Sequence, residues 1–517
     1  MAPTVSYRAN SPSSAVFVFC LLVIGATLLL DFIPLEWKQF DTQRILLCAL
    51  VAFLVPLHSV FAFVKAKRAR SYSSLIWFLP VSLVFVGHYW FLDRSQLFPF
   101  EGMMFLLFFL VAGLNGVFIR DSVGIERAVV ALVYAVVIVC AFYSAITLMT
   151  YAFILNDGIS PRSLIPWGFV NIRFWSHLAT WFLPLFPVAL WVGPFRHSSL
   201  WRFAVGFTAA IWWWVVIMSA AHGTVVALMI STVVVLAFYR RDAWRWFRAF
   251  SLYLMVGVLV WLVLSVIIPG AVSQGSKVSL PDIGTTAPIR IIQWTEALAM
   301  SLVNFPFGMG GQSWLTHAPL TRPYIEGSVV LYGAPHNMYM LWAAEYGWVC
   351  IAALLFPMGY AVHRLAKLRS QTASGASKSS HAAIGVVASV IAALMHSGVS
   401  SVLLTPPAML AGLLVLSVFW GIVVPGSFVN QSSPIEPTRR ERAGNYGNPS
   451  IRALWGVIFA LSLWFGMTFF GEVMSYHRSM QADWECFRKE TRLSWIPRFW
   501  QHGFYPNQLD GYRECQD

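Results

Sequence analysis

The chain has 517 residues, of which 58% are hydrophobic, 16% aromatic and only 11% charged, and its formal net charge is +13. A soluble domain usually carries about 25% charged residues, so this composition excludes a protein with most of its length in water. The Lys and Arg residues lie in short loops between apolar segments rather than on one polar face, which argues against nucleic acid as a partner.

Apolar runs of membrane-spanning length recur along the chain and predict an all-α polytopic membrane protein with about 12–13 transmembrane helices. The lipid bilayer is therefore an expected partner. The first run, between Ala15 and Leu30, has no small-residue cleavage site after it, so we predict a retained helix rather than a signal peptide. The predicted spans are 14–33, 45–64, 73–92, 102–119, 128–153, 176–194, 199–219, 222–239, 249–269, 337–362, 381–400, 405–425 and 453–471.

One connecting segment, residues 270–336, is too long and too ordered in composition to be a simple linker. Within it, apolar residues at helical spacing predict a helix over 291–302, which the proline and glycines that follow should end. The chain then divides into four predicted regions: N-terminal transmembrane helices (1–269), a large, partly helical external loop (270–336), C-terminal transmembrane helices (337–471) and a polar C-terminal tail (472–517).

The distribution of charge predicts how the helices are oriented. With the N-terminus in the cytoplasm, the inner segments hold 21 of the 35 Lys and Arg residues but only five of the 22 Asp and Glu residues, as the positive-inside bias requires. The loop 270–336 and the C-terminal tail then face outward. Cys486 and Cys515 of the tail would meet an oxidising compartment there and could form a disulfide.

Residues suited to chemistry lie in the outer segments, because few charges fall within the predicted spans. Arg290 and Trp294 belong to the region of the predicted loop helix, and His336 with Asn337 opens the next span. A guanidinium suits a phosphate group, and an imidazole, with an unperturbed pKa of about 6.5, suits a general base. Two simpler interpretations stay open: a histidine beside a helix start can be a cap, and a loop arginine can be a solvated charge.

The order of these residues resembles the signature of the O-antigen ligase superfamily, which includes O-antigen ligases, Wzy-type polymerases and bacterial protein O-oligosaccharyltransferases. That signature is an Arg, a Trp four residues on, a turn with a proline followed by glycines, His-Asn, and a Glu-x-Gly on the following helix. The matching residues are Arg290, Trp294, Pro306, Gly308, Gly310, His336, Asn337, Glu345 and Gly347.

Two further segments are similar to the family less closely. Asn171 and Arg173 resemble its Asn-x-Arg element at the outer start of a helix, and this segment continues to His177. Residues 219–224 lie where relatives carry Ser-x-x-Arg-Gly, but His222 replaces the Arg. His222 is therefore either a third contact to phosphate or a polar residue at a helix end.

The resemblance implies a GT-C-like fold and an inverting, metal-independent glycosyltransferase without a cofactor. The implied donor is a glycan on undecaprenyl diphosphate at the periplasmic face of the bacterial inner membrane. Arg290, Arg173 and His222 would bind the diphosphate, and His336 with Arg290 would be catalytic. The supporting residues would be Asn337, Trp294, Gly308, Gly310 and Asn171.

The acceptor hydroxyl is left open by the resemblance. Lipid A-core is favoured, because relatives that modify proteins often have a larger exported C-terminal region than the short tail of this chain. A second lipid-linked glycan, as in a Wzy-type polymerase, is a close alternative, and a protein acceptor is the third. A transporter of lipid-linked glycans is an alternative from another functional class. It is disfavoured because the chain has few mid-bilayer charges and shows no internal repeat.

Overall fold

The computed structural model describes Gly25 and residues 39–64, 72–92, 101–157, 172–272, 287–314, 331–373, 380–425, 449–490 and 495–496. These residues form fourteen α-helices and two very short strands. In chain order the elements are α1 (Gln39–Val64), α2 (Leu79–Gly87), α3 (Glu101–Phe118), α4 (Ile125–Asn156), α5 (Ile172–Phe182), α6 (Ser199–Met218), α7 (His222–Tyr239), α8 (Trp244–Trp261), α9 (Ile268–Val272), α10 (Ala287–Val303), β1 (Leu331–Tyr332), α11 (Met338–Ala373), α12 (Ser380–Ser397), α13 (Pro406–Val423), α14 (Pro449–Glu490) and β2 (Trp495–Ile496).

The prediction of an all-α polytopic membrane protein is confirmed. Within the described ranges, nine helical stretches are long and apolar enough to cross a membrane, and one of them, His222–Ala271, contains two of the predicted spans. The apolar segments Phe174–Leu190 and Ala382–Ser397 are shorter. Every predicted span from 45–64 onward therefore contains a described helix, whereas the span 14–33 lies outside the described residues apart from Gly25.

The outer surface of the bundle is apolar. Phe153 of α4, Phe203 of α6 and Val303 of α10 are each more than 60% exposed. Large apolar side chains in that position would be unfavourable in water but suit the hydrocarbon of a bilayer. Helices satisfy their own backbone N–H and C=O groups, which is why they can cross that medium.

Several helices differ in extent from the prediction. The helix α1 begins at Gln39 and includes Arg44, which is buried and pairs with Asp41 at 2.7 Å. Prolines 184 and 187 convert the chain after α5 into the 3-10 helix Leu183–Leu190, since proline lacks a backbone donor. The predicted boundary between 471 and 472 falls inside α14.

The predicted disulfide of the tail falls outside what the structure describes: Cys486 is in α14 without a described side chain, and Cys515 lies outside the described residues.

The two short strands pair with each other, with Leu331 of β1 parallel to Trp495 of β2. This pairing brings the segment before His336 next to the chain that follows α14.

The packing of five helices positions the candidate residues. The loop helix predicted over 291–302 is confirmed as α10, and it packs against α11. The helix α12 packs against α5 and α7. These contacts bring segments far apart in the sequence to one junction, at the start of α5, α7 and α11 and the end of α12.

Candidate functional site

The His336–Asn337 segment starts α11. The Asn337 side-chain oxygen accepts hydrogen bonds from the backbone N–H groups of Tyr339 (3.0 Å) and Met340 (3.1 Å), so Asn337 is the N-cap of this helix. His336 is partly buried and has a φ of 54°. This left-handed conformation is uncommon for residues other than glycine but is enriched for histidine and asparagine, and such strain is found often at functional sites.

The glycine-rich turn after α10 binds to a kink in α11. Gly347 has φ 80° and ψ 170°, which interrupts the helix. Met309 N–H donates to the carbonyl of Ala344 (2.9 Å), and Gly310 N–H donates to that of Glu345 (2.8 Å). In return, the carbonyl of Pro306 accepts from Val349 N–H (3.2 Å). The turn thereby supplies hydrogen-bond partners to backbone groups of α11 that lack their helical partners at the kink.

Close backbone approach explains two of the glycines. A Cβ atom at Gly308 would lie 2.5 Å from the backbone nitrogen of Gly347, and one at Gly347 would lie 2.1 Å from the carbonyl oxygen of Pro306. Both residues also have positive φ. The two glycine elements of the family-like signature are thus two sides of one backbone contact.

The same contact orders the residues around it. Glu345 is fully buried, and its Oε1 accepts a hydrogen bond from the backbone N–H of Trp314 (3.3 Å). Trp348 of α11 donates from its indole N–H to Ser301 of α10 (3.1 Å). These contacts fix α10, and with it Arg290 and Trp294, relative to the helix that His336 precedes. Gly308, Gly310 and Glu345 therefore have structural roles at this site.

Arg290 lies near the end of α12. It is partly buried, and its positive charge acts on His396, which is 3% exposed. Trp294, one turn further along α10, is partly buried, and its indole nitrogen has no hydrogen-bond partner among the described residues. The predicted catalytic arginine thus acts electrostatically on a histidine that the sequence analysis did not single out.

The segments around Arg173 and His222 are brought together. Arg173 is the second residue of α5, although its side chain is not described, and Asn171 lies outside the described residues. His222 is the exposed first residue of α7. The Thr224 hydroxyl donates to the carbonyl of Ser176 (3.2 Å), which joins the first turns of the two helices. Both predicted diphosphate-binding segments therefore belong to one junction.

Tyr339 connects the start of α11 to this junction. Its hydroxyl donates to the carbonyl of Leu394 (2.7 Å), two residues before His396 on α12. His336 precedes Tyr339 by three residues, and Tyr339 contacts α12 close to His396. This contact links His336 indirectly to the region of Arg290.

Sequence reasoning missed a buried polar cluster at the end of α12. His396 Nδ1 lies 2.8 Å from Thr180 Oγ1, His177 Nε2 lies 2.7 Å from Ser400 Oγ, and the two imidazole rings are 5.1 Å apart. The available signal was the polar run His396-Ser397 at the end of an apolar span, with His177 already noted beside the Asn-x-Arg element.

An apolar cavity of about 310 Å³ lies next to the junction. Tyr339 and Trp342 of α11 and Leu394 and Ser397 of α12 line the part near the polar cluster, whereas Leu365 lies much further along α11. Tyr339 and Leu365 lie on opposite sides of the kink at Gly347, so the cavity follows most of α11. Its walls are almost entirely apolar, which suits a hydrocarbon chain.

Comparison with known families supports the resemblance. Residues 207–355 match the sequence model of the family Wzy_C, described as O-antigen ligase. The matched range includes His222, Arg290 and His336, whereas Arg173 and His396 lie outside it. No curated protein matches the chain. Residues 207–355 of this membrane protein are thus similar to the O-antigen ligase family.

Proposed function

We propose that the chain is a glycosyltransferase that moves a glycan from undecaprenyl diphosphate to an acceptor hydroxyl at the periplasmic face of the bacterial inner membrane. The observation that carries this proposal is the junction itself. It joins the starts of α5 and α7 to Arg290 and lies next to an apolar cavity. Cationic groups and helix N-termini favour a diphosphate, and the cavity favours an isoprenoid chain.

The candidate residues have separate roles in the proposed reaction. Arg290, Arg173 and His222 bind the diphosphate and stabilise the charge that develops on it as it leaves. The acceptor oxygen forms a bond to the anomeric carbon while the bond from that carbon to the diphosphate breaks. His336 takes the proton from the acceptor hydroxyl. Displacement from the opposite face inverts the anomeric centre, and no step in this scheme requires a metal ion.

Lipid A-core is the proposed acceptor, which makes the reaction O-antigen ligation. A second lipid-linked glycan, as in a polymerase, is the close alternative because the signature residues are the same. A protein hydroxyl is the third.

The test is a transfer assay with purified full-length protein in detergent and an undecaprenyl-diphosphate glycan. Lipid A-core, a second lipid-linked glycan and an exported protein are offered separately as acceptors, and we expect glycan on lipid A-core. The same glycan on a two-isoprene diphosphate should be the poorer donor, because a short chain leaves the cavity unfilled. If the donor binds and no acceptor is modified, a transporter of lipid-linked glycans becomes the better explanation.

We also propose an orientation, with a cytoplasmic N-terminus, a periplasmic 270–336 loop and a periplasmic C-terminus. Asp157, after α4, and Asp242, between α7 and α8, are exposed and lie on opposite predicted sides. A membrane-impermeant maleimide applied to spheroplasts should label Asp157→Cys, whereas Asp242→Cys should react only after the membrane is disrupted. The parent protein gives the background from its own cysteines, and the reverse labelling pattern would refute the orientation.

A further inference from the structure

The buried cluster of His177, His396, Thr180 and Ser400 has no role in the scheme above. His177 and His396 are each 3% exposed, and each ring lies within hydrogen-bond distance of a hydroxyl. Polar groups at this depth are costly unless they are paired, so this arrangement needs an explanation. The cluster lies where α5 meets the end of α12.

His396 lies against two of the segments assigned to the diphosphate, α5 and α7, and within the electrostatic influence of the third, Arg290. Its Nδ1 is bonded to Thr180 of α5, the helix that carries Arg173. A Cβ atom at Gly223, next to His222, would lie only 3.1 Å from its Nε2. The charge of Arg290 on α10 acts on the same ring.

The hydrogen bonds indicate which nitrogen faces the site. The Thr180 hydroxyl has one proton, which it donates to the carbonyl of Ser176 at 3.0 Å. Its oxygen then accepts from Nδ1–H of His396, and in the neutral imidazole this leaves Nε2 as an acceptor. Nε2 is the atom beside Gly223. The neutral ring thus keeps a free acceptor available to a donor such as the guanidinium of Arg290, whose charge acts on this ring.

We infer that His396 is a positioning residue that holds Arg290 and the first turns of α5 and α7 in the arrangement that binds the donor diphosphate. The inference rests on the proposed function, because it assigns those segments to the diphosphate. His396 acts through Arg290 and the two helix starts, and it takes no part in proton transfer.

Two substitutions separate the two nitrogens of the ring. In His396→Asn the amide nitrogen can replace Nδ1 and keep the bond to Thr180, but the acceptor at Nε2 is lost. In His396→Gln the longer amide can replace Nε2 and keep an acceptor near Arg290. Full-length variants are compared by their affinity for undecaprenyl diphosphate without glycan and by KM and kcat in the transfer assay.

We expect His396→Asn to weaken undecaprenyl diphosphate binding and raise the donor KM by roughly 10-fold, the effect of losing one hydrogen bond to a charged group. The kcat at saturating donor should change much less, and His396→Gln should recover most of the affinity. The control is His58→Asn, which alters another buried histidine, bonded to Asn115 at 2.7 Å in a different part of the bundle. Its donor affinity should equal that of the wild type.

Equal donor affinity in wild type and His396→Asn would overturn the inference, as would a loss of affinity in the His58→Asn control of the same size. If His396→Asn does not fold, Thr180→Val removes the partner of Nδ1 at nearly constant volume and should raise the donor KM in the same way. A wild-type protein that fails to bind undecaprenyl diphosphate would instead refute the proposed function, so the two failures are distinguishable.

Discussion

Replacement of His336 should reduce glycan transfer by roughly 100-fold or more, because general-base catalysis contributes about 10²–10⁴-fold to such reactions. The informative variant is His336→Asn. Asparagine tolerates the left-handed φ of 54° at this position but cannot take a proton at neutral pH. The measurement is kcat in the transfer assay, alongside the affinity for undecaprenyl diphosphate, which should stay close to the wild-type value.

His336→Ala provides the comparison, since alanine loses the imidazole and also disfavours the left-handed backbone. If His336→Asn retains activity within about threefold of the wild type, His336 is not the base, and any loss in His336→Ala reflects the backbone. The exposed His197, in the turn before α6, provides a control in His197→Ala, which should leave transfer unchanged.

Gly347→Ala should abolish or strongly reduce the yield of folded protein. The added Cβ would lie 2.1 Å from the carbonyl oxygen of Pro306, and φ is 80°. The left-handed conformation costs roughly 1–2 kcal/mol for an alanine, and overlap with rigid backbone adds about 1–3 kcal/mol. The measurement is the fraction of monodisperse protein that survives heating in detergent.

The matched control is Gly359→Ala in the same helix, where no heavy atom lies within 4 Å of the added Cβ. Because alanine favours a helix over glycine by about 1 kcal/mol, this variant should be as stable as the wild type or slightly more so. Equal heat resistance of Gly347→Ala and Gly359→Ala would show that the turn does not depend on close approach at the kink.

The helices could be predicted from the sequence because the bilayer requires long apolar runs, and the end of α10 could be predicted because Pro306 and the following glycines cannot continue it. The start of α1 could not, since hydropathy gives no weight to a polar turn that becomes buried. Burial of Arg44 is favoured because Asp41, one turn earlier, pairs with it at 2.7 Å. A mean hydropathy along the sequence does not detect such an ion pair.

The candidate site was predictable in part for a related reason. His336, Arg290 and the glycines form an ordered local pattern, so their resemblance to the family could be recognised in one stretch of sequence. His396 could not be found this way. Its importance depends on contacts with Thr180 and Gly223, which are more than 170 residues away and meet it only when α5, α7 and α12 pack together.

The contact between the glycine-rich turn and the kink of α11 is made by main-chain atoms, and this has a consequence for sequence variation. Phe305 and Phe307 are 63% and 46% exposed, so their side chains can change during evolution without disturbing the three backbone hydrogen bonds. Glycines 308 and 347 have no such freedom. Amino-acid substitutions should therefore accumulate quickly at the two phenylalanine positions and very slowly at the two glycines. Related sequences should then share a few fixed residues separated by variable ones.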